Sequence, residues 1–343
     1  MNGTSGSHLS RRNLMAAATG TALSALVPGF ALAQEPRRFQ LQLNWIETGD
    51  FSPLFAAELK GYDRAAGLNL AFAPGGPQVD AIQVVAGGAA PVGLIANTHQ
   101  IVGARANGIP VRMFATSYQG TPTGVISKAT KPIRTPQDLI GKKIGVQAGA
   151  RAAFALMLAA ANIAPERLTI IPVGIDPTPL ISDQVDGYWG TAVNQAITLR
   201  MQGIPNEILT SQTAGLPSYW QLYFATDKVI AEQGDALVRL LQTVIRGGQY
   251  FRDNPDEVAA HIVKRSPQLN LNPEQVREQC RGIAQMMESP LTKQKGLGWF
   301  NPADMAVTAD LMLKLGQIDA RVNPADTYTT ALLERAYGGK TTL

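Results

Sequence analysis

Apolar and polar residues alternate along this chain at two periods, and the period switches at regular intervals. "RFQLQLNW" alternates every second residue, the pattern of a half-buried strand. "SPLFAAELKGYDRAAG" follows, with Leu54, Phe55, Leu59 and Tyr62 at helical spacing. Ser52 suits the cap of that helix, Pro53 its first turn and Gly67 its end. The pattern then predicts a strand at "LNLAFAPG", a short helix at "QVDAIQVVAGG" closed by Gly87 and Gly88, and a buried strand at "PVGLIA". A helix from Asn97 to Asn107, ended by Gly108, and a strand at "VRMFATSYQ" complete a first unit.

A second unit starts near Gly124. "TGVISKA", "KIGVQA", "LTIIPV", "QVDGYWG", "NEILTS" and "YWQLYFAT" read as strands. "GARAAFALMLAAANI" and "NQAITLRMQGI" read as helices, and "TPQDLIGK" as a helical turn. Strands and helices alternating at this spacing predict an α/β fold with parallel sheets. From Asp227 onward the pattern is helical throughout, and Asn254-Pro255, Asn272-Pro273 and Asn301-Pro302 each put proline near a helix start. No internal repeat or low-complexity tract is visible.

The first stretch follows neither period. "SRRNLMAAATGTALSALVPGFALA" pairs Arg11 with Arg12, continues with a weakly apolar run from Leu14 to Val27, and breaks at Pro28. Small residues at Ala31-Leu32-Ala33 offer a cleavage site before Gln34. The expectation is a signal peptide over residues 1–33 that uses the twin-arginine (Tat) route. The apolar run is shorter than the ~20 residues that span a bilayer.

Charge and cysteine usage narrow the class. The formal net charge of +4 over 343 residues includes Arg11 and Arg12, so the sequence pI of 9.2 overstates the basicity of the processed chain. No Lys/Arg run exceeds two residues, which predicts no nucleic-acid partner. The single cysteine, Cys280, cannot close an internal disulfide or build a cysteine-rich metal site. It also lies far from the signal junction, so no lipid anchor is expected there. His99 and His261 have no Glu or Cys at ligand spacing, and Asn270 to Glu274 lacks a calcium-loop pattern. Neither Gly-x-Ser-x-Gly nor Gly-x-Gly-x-x-Gly occurs. These observations predict a free, soluble periplasmic protein without metal or cofactor, and not an enzyme.

Several segments follow one another in a familiar order. They are "LNW", "AAELKGYDRAAGLNLAFAPGGPQVDAIQVVAGGAAPVGLI", "GIPVRMFAT", "DLIGKKIGVQ" and "VDGYWGTAVNQAITLRMQGI". From Leu41 to Ile230 the chain resembles the thiamine-pyrimidine-synthase-like group of periplasmic solute-binding proteins, which serve ABC importers. The resemblance implies a type II-like binding-protein fold of two α/β lobes that close on a ligand, with a helical C-terminal part. It implies lobe one at 36–122 and 226–343, and lobe two at 123–225. It also implies a monomer that meets a small-molecule ligand and a permease at the inner membrane. Members bind pyrimidine vitamin precursors, riboflavin, alkanesulfonates, nitrate or bicarbonate. Pyrimidine binders tend to show a Trp and, six residues on, a His; here Trp45 is matched, but the second position is Phe51. "PGGP" and "VDGYWG" resemble the branch that includes riboflavin and related heteroaromatic binders. The eukaryotic branch makes the pyrimidine and carries a cysteine cluster, which this chain lacks.

Ligands of open α/β sheets bind beyond the carboxyl ends of the strands. That rule makes Trp45 a stacking platform, with packing on its own lobe as the alternative. Phe51 offers a second aromatic face, and Asp50 either accepts from ring N–H groups or serves the N-terminus of the next helix. Asn97 and Thr98 either donate to a ligand or cap their helix, and Tyr118 lines the cleft mouth or packs at the hinge. In the second unit, one of Tyr188 and Trp189 is expected at the cleft, facing Trp45. Asn194 is a hydrogen-bond candidate, and Arg151 at a helix start is an anion candidate. The reading is a periplasmic binding component for a flavin- or pyrimidine-like solute. Its alternatives are a binder of an alkanesulfonate or nitrate, and a Tat-exported flavin-dependent oxidoreductase.

Overall fold

The computed structural model describes residues 37–343, so the expected signal peptide lies outside the described residues. Lobe one opens with β1 (Arg37–Gln42), α1 (Ser52–Leu59), α2 (Tyr62–Ala65), β2 (Leu68–Ala73), α3 (Ala81–Ala86), β3 (Val92–Ile95), α4 (Thr98–Ala106) and β4 (Val111–Tyr118). The chain then crosses to lobe two: β5 (Thr123–Lys128), β6 (Lys143–Val146), α5 (Arg151–Ala160), β7 (Thr169–Pro172), α6 (Thr178–Ile181), β8 (Gly187–Thr191), α7 (Gln195–Met201) and β9 (Asn206–Thr210). It returns through β10 (Trp220–Thr226) and ends in helices. These are α8 (Asp227–Glu232), α9 (Gly234–Asp253), α10 (Pro255–Arg265), α11 (Pro273–Gln285), α12 (Pro290–Lys295), α13 (Ala303–Lys314) and α14 (Ala331–Tyr337). Pro255 and Pro273 are the first residues of α10 and α11, where their fixed φ and missing N–H do no harm. No described helix is long and apolar enough to cross a membrane.

There are two five-stranded sheets, ordered β2-β1-β3-β10-β4 and β7-β6-β8-β5-β9. Neither is wholly parallel. β10 runs antiparallel to β3 and β4, and β5 antiparallel to β8 and β9. The physical reason is the crossing itself, because each lobe lends the other one strand that arrives from the opposite direction. β10 therefore belongs to the first sheet. The return to lobe one falls between Thr210 and Trp220, not after residue 225 as expected from the resemblance.

Burial follows from this layering. β3 is buried along its whole length, as its unbroken apolar run requires of a central strand covered on both faces. Space is tight there: a Cβ on Gly93 would lie 2.5 Å from the Phe224 ring of β10. The main core joins the first sheet to the C-terminal helices, and two smaller cores fill the faces of the second sheet. Leu156 of α5, Val193 before α7 and Leu216 of the return crossing also pack into the main core, so the seam between the lobes is partly apolar.

Candidate functional site

The strand directions bring the candidate loops together. β1 and β3 are parallel neighbours, so their carboxyl ends lie side by side. β10 starts and β4 ends at the same edge of the sheet. In lobe two the ends of β6 and β8 are likewise neighbours, and β5 starts beside them. Both crossings leave from these edges, so the edge of one lobe faces that of the other.

At the lobe-one edge, the chain from Leu43 to Phe51 is held at several points. The Gly75 N–H donates to the Trp45 carbonyl at 2.9 Å, and a Cβ on Gly75 would lie 2.3 Å from the Leu43 carbonyl. Only glycine permits that approach, which is the use of the "PGG" turn. The half-buried Trp45 lines a groove of about 540 Å³ together with Asn44, Val79, Ile82, Ile95 and Gln100. Asn44 Oδ1 is buried without a hydrogen-bond partner.

Further along, Glu47 pairs with Arg265 of α10 at 2.7 Å and accepts from the Ser266 hydroxyl at 3.1 Å. Arg265 also pairs with Glu58 at 2.6 Å and lies over the rings of Phe55 and Phe72 at 4.5 and 5.1 Å. A guanidinium clamped between two carboxylates and two ring faces is a rigid anchor. The Tyr118 hydroxyl donates to the Asp50 carbonyl at 3.1 Å. Gln279 of α11 donates through Nε2 to Asp50 Oδ1 at 2.8 Å and accepts from the Gly49 N–H at 3.3 Å.

Burial sets the electrostatics. It pushes the Asp50 carboxyl up to about 7 and the His99 imidazole down to about 4. The Tyr118 hydroxyl is raised well above its ordinary value for the same reason, and the Cys280 thiol is pushed up to about 12. Burial thus favours the uncharged form of all four groups. Among the described residues no three His, Cys, Asp or Glu side chains stand close enough to hold a metal ion.

The structure sorts the residues singled out in the sequence. Trp45, Asp50, Asn97, Thr98 and Tyr118 share the lobe-one edge. Asn97 precedes α4, whose Gln100 accepts from the Ala96 and Asn97 N–H groups, and Thr98 is buried in its first turn. Tyr118 is fully buried with its ring 5.1 Å from that of Trp220. Phe51 is turned into the core, edge-on to Phe55 at 6.3 Å, and is not a cleft face.

Tyr188 and Trp189 take opposite faces of β8, as strand geometry demands, but both faces are covered. Trp189 packs edge-on to Phe154 at 5.3 Å, and the Tyr188 hydroxyl donates to the Gly174 carbonyl at 2.8 Å. The expected partner of Trp45 across the cleft is thus core in both cases. Arg151 and Asn194 are exposed at the starts of α5 and α7.

One element joins the two edges. Gln275 of α11 donates to Asn194 Oδ1 at 3.2 Å and to the Thr198 hydroxyl at 3.1 Å. Gln279 lies one turn later on the same face, so Asp50 and Asn194 are both held by neighbouring side chains of α11. The sequence reading passed over this helix. A signal was present: Val276, Gln279, Cys280 and Ile283 form a buried stripe at helical spacing, and the glutamine interrupts it. Arg265, on α10, carried no comparable mark.

Residues 48–258, more than half of the chain, match the family described as NMT1/THI5 like. The chain belongs to the NMT1/THI5-like family. It is 25% identical to the riboflavin-binding protein RibY of Chloroflexus aurantiacus, over 84% of this chain and 84% of that one. It is also 25% identical to the 4-amino-5-hydroxymethyl-2-methylpyrimidine phosphate synthase of Legionella pneumophila, over 70% of this chain and 77% of that one. In fold it is similar to the periplasmic aliphatic sulphonate binding protein SsuA of Escherichia coli, with a TM-score of 0.65 at 15% identity over 85% and 91% of the two chains. The two-lobe architecture of this NMT1/THI5-like chain is the periplasmic binding protein fold. The relatives of this chain include proteins named as binders and proteins named as synthases.

Proposed function

We propose that this NMT1/THI5-like protein is the solute-binding component of an ABC importer and takes a small heteroaromatic, flavin- or pyrimidine-like solute between its lobes. The observation that carries this reading is the pairing of Trp45 and Asp50 on one pinned loop. A half-buried indole offers a face for a planar ring, worth ~0.5–1.5 kcal/mol beyond the area it covers. A carboxyl poised near 7 both accepts from a ring N–H and donates to a ring nitrogen. The riboflavin-binding relative supports a planar, nitrogen-rich ligand. In this reading the protein is exported by the Tat route and works in the periplasm as a monomer. Binding shifts an open–closed equilibrium of the lobes, and the permease reads the closed form.

A thermal-shift screen of the processed chain tests the ligand class. Riboflavin, flavin mononucleotide and 4-amino-5-hydroxymethyl-2-methylpyrimidine phosphate form one arm, and taurine and nitrate the other. Reversible, saturable stabilisation in the first arm alone supports the reading, and stabilisation in the second arm alone overturns it. The anion reading rests on the exposed Arg151 and the free N–H groups at the start of α5. Against a synthase reading stands the single cysteine, Cys280, where the resemblance implies a cysteine cluster in the branch that makes the pyrimidine. A tightly held yellow chromophore with turnover would instead favour the oxidoreductase.

A further inference from the structure

Two side chains from the C-terminal helices, Arg265 and Gln279, grip the loop that carries Trp45 and Asp50. Both lie beyond the 48–258 span matched to the family. Gln279 is the more informative, because its contacts leave it no freedom. The Gly49 backbone presents an N–H, so the atom facing it must be the carbonyl oxygen of the amide, and Nε2 is thereby turned to Asp50 Oδ1. There is no slack on the Gly49 side, where a Cβ would come within 2.7 Å of Gln279 Oε1. An apolar residue at this position would complete the stripe of Val276, Cys280 and Ile283. The amide is held there by its polar partners, not by the packing of the helix.

We propose that Gln279 is a positioning residue of the ligand site. It holds the Asp50 carboxyl in the orientation that meets a bound solute, while Gln275 holds Asn194 on the opposite edge. The proposal rests on the reading of the Trp45–Asp50 loop as the ligand site. One helix then organises both halves of that site: Gln279 reaches lobe one and Gln275 reaches lobe two. The titratable groups beside Asp50 are Tyr118 on β4, whose hydroxyl goes to the Asp50 backbone carbonyl, and Cys280 on α11, whose thiol meets the Ser52 hydroxyl, so the amide is the side-chain donor that reaches the carboxyl.

The test combines an apo measurement with a binding cycle. In the apo protein, the Asp50 carboxyl is titrated by carbon-13 NMR with labelled aspartate. Removing a donor to the carboxylate disfavours the charged form, so Gln279→Met should move the Asp50 midpoint upward. Riboflavin and 4-amino-5-hydroxymethyl-2-methylpyrimidine phosphate are the binding probes. Gln279→Met should weaken whichever probe binds by about tenfold, and the loss should vanish in an Asp50→Ala background. An unmoved midpoint, or the same loss with Asp50→Ala, overturns the proposal. If the wild type binds neither probe, the ligand-class reading fails by itself and the apo titration alone judges Gln279. Should Gln279→Met not fold, Gln279→Ala removes the donor without placing a second carboxyl beside Asp50. An Asp50 midpoint unmoved in that variant also overturns the proposal.

Discussion

Lobe one and lobe two repeat one strand order, each with four parallel strands and one strand borrowed from the crossing, yet their facing edges are built differently. The lobe-one edge is packed from behind by the C-terminal helices, which pin the 43–51 loop through Arg265 and Gln279. In lobe two, Ala148, Gly149 and Arg151 are exposed, and Asn194 is steadied by Gln275 alone among the described hydrogen bonds to its side chain. Topology sets where the two edges meet, and the accessory helices set how firmly each is held. If the ligand meets these edges as proposed, lobe one is the preorganised half of the site and the ordering cost of binding falls mainly on lobe two.

The largest test of this contrast is Trp189→Ala. If both aromatics of β8 are core, the variant should lose ~3–5 kcal/mol of stability, read by urea unfolding. An unchanged midpoint with weakened binding would instead move Trp189 into the site.

The pinned half also carries a pH signature. The Asp50 carboxyl, near 7 when folded and ~3.9 when unfolded, binds a proton in the folded state that the unfolded state lacks. Its contribution to stability is therefore largest at low pH and is lost as pH rises through about 7, at no more than ~1.4 kcal/mol per pH unit. His99 runs the other way: near 4 when folded and ~6.5 when unfolded, it loses stability as pH falls below 6.5. Asp50→Asn isolates the first effect. Relative to the variant, the wild type should lose stability as pH rises from about 4 to about 7, and no further above that, in chemical denaturation. A flat difference would show that Asp50 is solvated.

Trp45→Ala should weaken a bound planar solute at least about tenfold, ~1.4 kcal/mol, with little change in the apo melting temperature. A large fall in melting temperature with intact affinity would make Trp45 core, like Trp189. The smallest effect is expected at the open half. Arg151→Ala should change stability by less than ~0.5 kcal/mol and leave a neutral solute's affinity unchanged in isothermal calorimetry. Loss of sulfonate or nitrate binding in that variant would favour the anion reading.

By itself the sequence determined what depends on neighbours in the chain. Period-two and period-3.6 patterns placed the strands and helices, proline and glycine marked their ends, and "LNW" put Trp45 and Asp50 at a strand end. What depends on distant residues was decided only in three dimensions. Whether Tyr188 and Trp189 face a cleft or a core turns on whether both sides of the second sheet are covered, which the period of β8 cannot report. The membership of β10 turns on which sheet its unpaired edges reach. Gln279 shows the reason most plainly, for it meets Asp50 across 229 residues of chain. Local periodicity records which face of a helix is buried, and only folding decides what that face is buried against.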